Sequence, residues 1–174
     1  FFHAHGTSTP QNRESESHII SSSAQAFNIK NLPVAAIKSY LGHSLAAAGG
    51  DQMISALGSW KNNLIPGITT TPAIAENVYT KNVNFLLEHM EFADKEYEFA
   101  ILNAKGFGGN NGTALVASPS KTMEMLQTKY SAASIKKYHS TNESIKVQLS
   151  ENKNEIQIKI KNYNLKWKGF WGFG

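Results

Sequence analysis

The segment order of this 174-residue chain predicts an α/β fold, and three observations carry that reading. Strand-like apolar runs alternate with stretches whose apolar residues recur at helical spacing. Three of the strand-like runs end in glycine-bearing loops, around His5, His43 and Phe107. The last two runs flank the glycine-rich stretch 106–112, the pattern of a hairpin.

Taken in order, "FFHAH" reads as the end of a buried strand and "GTSTP" as a tight polar loop, which puts His5 at the mouth of a sheet. That strand signal has nothing upstream of it, so the chain is expected to be truncated on its N-terminal side. Arg13 to Phe27 carries Ile19, Ile20, Ala24 and Phe27 at helical spacing, with Glu14 and Glu16 near the start, where the helix dipole favours them. A turn at Pro33 and a short buried strand to about Tyr40 follow, then a break at Gly42. A second helix is expected after Ser44, a candidate N-cap, with Leu45, Met53, Ile54, Leu57 and Trp60 able to share a face. The small residues from Ala46 to Gly50 suit close burial against other backbone. "LIPGITTT", "VNFLLEHMEF", "EFAILNAKGFGG" and "GTALVAS" then read as strands. Beyond Pro119 the expectation is a helix near Thr122 to Tyr130 and a hairpin of two alternating runs, Ile145 to Leu149 and Ile156 to Ile160, around "SENKN". The domain reading is therefore 1–118 for the α/β unit and 119–174 for a lysine-rich, β-containing tail.

Composition narrows the classes. With 41% hydrophobic and 17% charged residues the chain can bury one core of ordinary size plus an appendage. Its apolar runs fall well short of the roughly 18 residues of a membrane span, so a soluble cytoplasmic protein is expected. The net charge of +4 is unevenly placed. Residues 121–174 hold ten lysines against four glutamates, whereas residues 1–120 hold seven basic and nine acidic residues. Basic character confined to an alternating tail fits a solvated face, with electrostatic docking as the lesser reading, and nucleic acid is not an expected partner. There is no cysteine, so disulfides, thiolate metal sites and a cysteine nucleophile within these residues are excluded.

The chemistry is expected in the three loops, because the carboxyl ends of strands are where an α/β sheet binds ligands. His3, His18, His89 and His139 take the ordinary reading of core histidines with a satisfied hydrogen bond. His5 and His43 differ, each lying beside glycine where a strand gives way to a loop. The helix after His43 disfavours an imidazolium there, and two neutral histidine donors suit an oxyanion or enolate. His3 and His5 offer only two ligands for zinc, so no metal site is expected. "KGFGGNNG" lacks the following helix and the Lys-Ser/Thr ending of a phosphate-binding loop, which leaves a hairpin whose glycines let backbone amides approach a ligand.

"HGTSTP", "KSYLGHSLAAAGG" and "NAKGFGGNNG", in this order and spacing, resemble the three signature segments in the C-terminal half of the β-ketoacyl-ACP synthases, over about residues 1–118. Within that family they look most like the bacterial acetoacetyl-ACP synthases, which start fatty-acid synthesis. The resemblance implies a thiolase-like C-terminal half, layered αβαβα when complete, usually in a homodimer. It also implies a Cys-His-His site whose cysteine comes from the N-terminal half, so that this fragment alone is expected to be inactive. His5 and His43 match the two catalytic histidines and Lys38 the family's structural and electrostatic lysine. Phe107 matches the gating aromatic whose amide completes an oxyanion hole between Gly106 and Gly108, while Thr7 and Thr9 are placed to bind pantetheine. The implied partners are acyl carrier protein, malonyl-ACP, and an acyl-CoA or acyl-ACP primer, acetyl-CoA for the starter type. No cofactor is implied.

Several positions depart from the elongating pattern. Gln52, with Asp51 beside it, stands where an acidic residue is usual, Ala46 where glycine is common, Arg13 at a usually acidic position, and Lys105 in place of a phenylalanine. These changes recur together in the starter-type group. The alternatives are an elongating synthase, a polyketide chain-length or decarboxylating partner, and, in another class, a non-catalytic scaffold fragment.

Overall fold

The computed structural model describes the backbone of residues 1–167 and the side chains of residues 1–153. The chain divides into two compact units, Phe1–Met123 and Glu124–Gly174. In the first, strands β1 (Phe2–His3), β2 (Leu32–Ala35), β4 (Val83–Phe85), β6 (Phe99–Lys105) and β7 (Asn111–Ala117) form one sheet of order β4-β2-β1-β6-β7. The first four are parallel, and β7 returns antiparallel to β6 with Lys105 opposite Asn111. A separate antiparallel pair is made by β3 (Leu64–Ile65) and β5 (Met90–Glu91).

Alternation along the strands sorts the core into two faces. Phe1, Ala35, Ala100 and Leu102 pack with Ala56 of helix α3 (Ala48–Asn62), joined by Met53 and Trp60. Phe2, Ala4, Val34 and Leu32 pack with Ile20 and Ala24 of helix α1 (Pro10–Ala26). The sheet is thus covered by a helix on each side, which is the α/β arrangement the segment order predicts.

Several local expectations change. Helix α1 starts at Pro10, whose fixed φ suits a first helical position, and its Phe27 end is 78% exposed instead of packed. The strand expected to reach Tyr40 stops at Ala35, and Lys38–Leu41 is a single helical turn, α2, ended by Gly42 at φ 73°. Ser44 does not cap α3, because a 3-10 turn, Leu45–Ala47, comes first and Ala47 takes the cap position. The stripe that α3 buries is Ala48, Gln52, Ala56 and Ser59, whereas Ile54 and Leu57 face outward. Small side chains let this helix lie close on the sheet, so of the face expected from residue size Met53 and Trp60 pack against the core while Leu45, Ile54 and Leu57 do not. "LIPGITTT" and "VNFLLEHMEF" keep only short strands, and "EFAILNAKGFGG" with "GTALVAS" forms the expected hairpin.

The second unit corrects the tail. After α4 (Pro119–Lys129), residues Ala132–Trp167 form one helix, α5, and the two runs 145–149 and 156–160 lie in it, not in a hairpin. The physical reason is that Tyr138, Ile145 and Leu149 also recur at helical spacing, in a segment rich in Lys, Glu and Gln and lacking glycine or proline to turn the chain. The aromatic run at 168–174 lies outside the described residues. Among the described residues no helix is long and apolar enough to cross a membrane.

Candidate active site

Because β2, β1 and β6 run parallel and adjacent, the loops after all three leave from one end of the sheet. His5 follows β1, Lys38 and His43 follow β2, and Phe107 follows β6. The connectivity, not proximity in sequence, brings these residues together.

His5 is 5% exposed and held from two directions. Its Nδ1 accepts the Lys105 backbone N–H at 3.1 Å, and its own backbone N–H donates to Glu16 Oε1 at 2.7 Å. A nitrogen that accepts carries no proton, so the remaining proton of the neutral ring sits on Nε2, free to donate. Burial, and next the positive charge of Lys38, hold the His5 pKa below its ordinary value despite the opposing charge of Glu16. Gly6 turns the chain at φ +59°, and a Cβ there would lie 2.7 Å from Ala36 Cβ, so the loop needs glycine to pass β2.

Glu16, which the sequence reading treated only as a residue favoured by the helix dipole, anchors this loop. The carboxylate is 3% exposed and accepts four hydrogen bonds, from the backbones of His5 and Gly6, from Asn12 Nδ2 at 3.1 Å and from Asn103 Nδ2 at 2.7 Å. Its signal in the sequence is a charged residue in the row 16, 20, 24, which the helix otherwise fills with Ile20 and Ala24. Gln52 supplies a second tie: its Nε2 donates to Ala4 O and Asn103 O, both at 2.9 Å, bridging the ends of β1 and β6. The residue standing in the usual acidic position is therefore a neutral clamp between strands.

His43 is exposed on the turn after Gly42. Its Nδ1 accepts the Leu45 backbone N–H at 3.0 Å, which leaves the proton on Nε2, as in His5. Leu45 delivers that bond from the left-handed region at φ 57°, a conformation costly for leucine and held by the turn. The two imidazoles meet edge to face, centroids 5.1 Å apart at 81°. Ser44 donates to Asp51 instead of capping a helix.

Lys38 Nζ is buried with no hydrogen-bond partner among the described residues. Burial is the largest influence on its pKa and lowers it, with Glu16 and Asp51 acting in the opposite direction. His43 and Thr7 line two adjoining cavities. One, of about 630 Å³, also holds Lys38, Glu16 and Arg13. The other, of about 690 Å³, holds both histidines, Thr9, Lys105, Gly106 and Phe107, a size suited to a small-molecule substrate. Phe107 is 95% exposed on a 3-10 turn, Phe107–Gly109, in which Gly108 takes φ 79°. Gly108 shapes the turn without lining either cavity.

The other histidines divide differently from the expectation. His3 is fully buried, yet neither ring nitrogen has a partner among the described residues, and burial pushes its pKa down to about 4. His18 is exposed against Tyr79, His89 is exposed and accepts the Gly67 N–H, and His139 is exposed on α5.

Comparison with known proteins identifies the family of this fold. Residues 1–71 match the family described as β-ketoacyl synthase, C-terminal domain. The chain is 44% identical over 138 residues to the β-ketoacyl-[acyl-carrier-protein] synthase FabY of Pseudomonas aeruginosa, covering 79% of this chain and 22% of that protein. It is 30% identical over 115 residues to 3-oxoacyl-[acyl-carrier-protein] synthase 2 of Vibrio cholerae, covering 66% of this chain and 27% of that protein. The crystal structure of the P. aeruginosa ketosynthase FabY superposes with a TM-score of 0.75 over 79% of this chain and 21% of that one. A β-ketoacyl synthase from Burkholderia phymatum, 24% identical, shares the fold at a TM-score of 0.57 over 68% of this chain and 27% of its own. The chain thus spans about a quarter or less of the length of these relatives. By its signature loops, its fold and these likenesses, the chain belongs to the β-ketoacyl synthase family, of which it carries a C-terminal part.

Proposed function

We propose that this chain supplies the histidine side of the active site in a β-ketoacyl-ACP synthase that condenses malonyl-ACP with an acyl primer in fatty-acid synthesis, in the cytoplasm and as a homodimer. The observation that carries the reading is the matched pair of Nε2–H donors: His5 and His43 each have Nδ1 occupied by a backbone N–H, with their rings 5.1 Å apart.

In the proposed reaction a cysteine thiolate from outside these residues attacks the primer thioester, expelling its CoA or carrier thiol. Malonyl-ACP then enters. Its carboxylate carbon–carbon bond breaks, carbon dioxide leaves, and the electron pair stays as an enolate whose oxygen accepts from His5 and His43 Nε2–H. That enolate carbon attacks the acyl-cysteine carbonyl, and collapse of the tetrahedral intermediate expels the thiolate. Removing one such donor costs about 3–4 kcal/mol of barrier. Burial and, next, the charge of Lys38 lower the His5 pKa, Thr7 and Thr9 bind the pantetheine arm, and the Phe107 backbone N–H, between Gly106 and Gly108, donates to the tetrahedral oxyanion. Phe107 itself, exposed on its turn, gates the cavity.

Acetyl-CoA is the proposed primer, on the strength of Gln52, Arg13 and Lys105 standing where the elongating pattern differs. The elongating reading is favoured by the 30% identity with the V. cholerae 3-oxoacyl-[acyl-carrier-protein] synthase 2. Assay of the full-length protein with malonyl-ACP and either acetyl-CoA or a longer acyl-ACP separates them: preference for acetyl-CoA supports the starter role, preference for acyl-ACP the elongating one. Decarboxylation without condensation marks the decarboxylating partner, and the absence of both reactions defeats the catalytic reading in favour of a scaffold.

A further inference from the structure

Lys105 has a backbone task and a separate side-chain position. Its N–H holds His5 Nδ1, whereas its ammonium reaches toward helix α1, where among the described residues it meets the neutral Ser15 Oγ alone, at 3.3 Å. Among the described residues lining the 690 Å³ cavity there is no carboxylate, and Lys105 is the sole lysine or arginine. Glu16 does not line this cavity, and its oxygens are taken by four donors. Arg13 lines the other cavity and donates through Nε to Asn77 Oδ1. A solvent-accessible cation whose hydrogen-bond partner among the described residues is a hydroxyl, at a cavity otherwise lined by neutral side chains that include two histidine donors, favours an anionic ligand.

We propose that the Lys105 ammonium recognises the anionic oxygen group of the thioester entering this cavity, either a carboxylate on the acyl group or a phosphate on the pantetheine arm. The proposal rests on reading the site as half of a ketosynthase centre, and it makes Lys105 a specificity residue. Its charge selects an anionic thioester over a neutral one, while its backbone N–H serves His5 whatever its side chain.

The test uses the full-length protein, wild type against Lys105→Met and Lys105→Arg, with Lys105→Gln as a second neutral variant should the methionine form fail to fold. Decarboxylation is followed with malonyl-CoA and with malonyl-N-acetylcysteamine, which lacks the phosphates, and self-acylation with acetyl-N-acetylcysteamine, which carries no anion. The neutral variants should raise KM for malonyl-CoA relative to acetyl-N-acetylcysteamine about tenfold, the size of one charge-assisted hydrogen bond, with recovery in Lys105→Arg. If the tenfold rise extends to malonyl-N-acetylcysteamine, the carboxylate is the group bound. A rise confined to malonyl-CoA assigns the phosphate. Equal effects on all three substrates, or none, overturn the proposal while leaving the ketosynthase reading intact. A wild-type protein that decarboxylates neither malonyl thioester defeats that reading instead, and direct titration of malonyl-CoA against wild type and Lys105→Met then decides the anion site: equal affinities overturn it.

Discussion

Glu16 and Asn103, 87 residues apart in sequence, are joined by a 2.7 Å hydrogen bond that ties helix α1 to the end of strand β6 directly beneath the His5 turn. Asn103 also accepts from Thr113 Oγ1, so the tie extends into β7. Replacement Glu16→Ala strands several buried donors at once, and each unsatisfied one costs about 1–3 kcal/mol. A loss of about 3 kcal/mol or more of stability is expected in denaturant titration of the full-length protein, with activity falling as well. A change below about 1 kcal/mol would show that water replaces the carboxylate without cost.

The histidine pair predicts the kinetics of its own removal. His5→Ala and His43→Ala should each lower malonyl decarboxylation by about 10²–10³, and the double variant should lose much less than the product of the two, because in the proposed reaction both donors act on one oxygen. Multiplicative losses in steady-state rates would indicate that the two rings serve different steps.

In the proposed reaction Lys38 bears on the pH dependence of the same chemistry. Its charge disfavours the His5 imidazolium, second only to burial, so Lys38→Met should raise the His5 pKa. The acid limb of the decarboxylation profile is then expected to move to higher pH, since the neutral Nδ1 acceptor is lost sooner as pH falls. An unchanged limb would separate Lys38 from the titration of His5.

His3 provides a stability signature distinct from catalysis. Its folded pKa, about 4, lies below the unfolded value of about 6.5, so between these values the unfolded chain binds the extra proton. Stability is therefore complete above about pH 6.5, declines as pH falls to about 4, and changes no further below that on this residue's account. The decline is about 3 kcal/mol, and a His3→Leu variant should flatten that segment of a stability-against-pH curve. Persistence of the full slope in the variant would assign it to other groups.

Much of the candidate site was legible because the residues that the structure gathers at one end of the sheet lie in short glycine-marked stretches. His5, His43, Lys38, Phe107 and the two threonines were all readable from three motifs. Glu16, Asn103 and the bridging role of Gln52 were not, since each acts through a partner distant in sequence that only the sheet order brings near. The buried face of α3 was read only in part, through Met53 and Trp60, for a related reason. Residue size identifies what prefers burial, but the close approach of this helix to β1 and β6 selects Ala48, Ala56 and Ser59 and leaves Ile54 outside. In the tail, two short alternating runs satisfied a strand pattern and a helical one equally well, and continuous backbone hydrogen bonding along α5 is the outcome.

By itself the sequence determined the α/β order, the family and the loops that form the candidate site, because these depend on local patterning and on glycine at turns. Only the tertiary structure decided which ring nitrogens are free to donate, which carboxylate holds the His5 turn, and that the Lys105 ammonium stands at a cavity without a carboxylate among the described residues. Those properties depend on hydrogen bonds and fields between groups as many as 100 residues apart, such as His5 and Lys105, whose meeting follows from parallel pairing of β1 with β6.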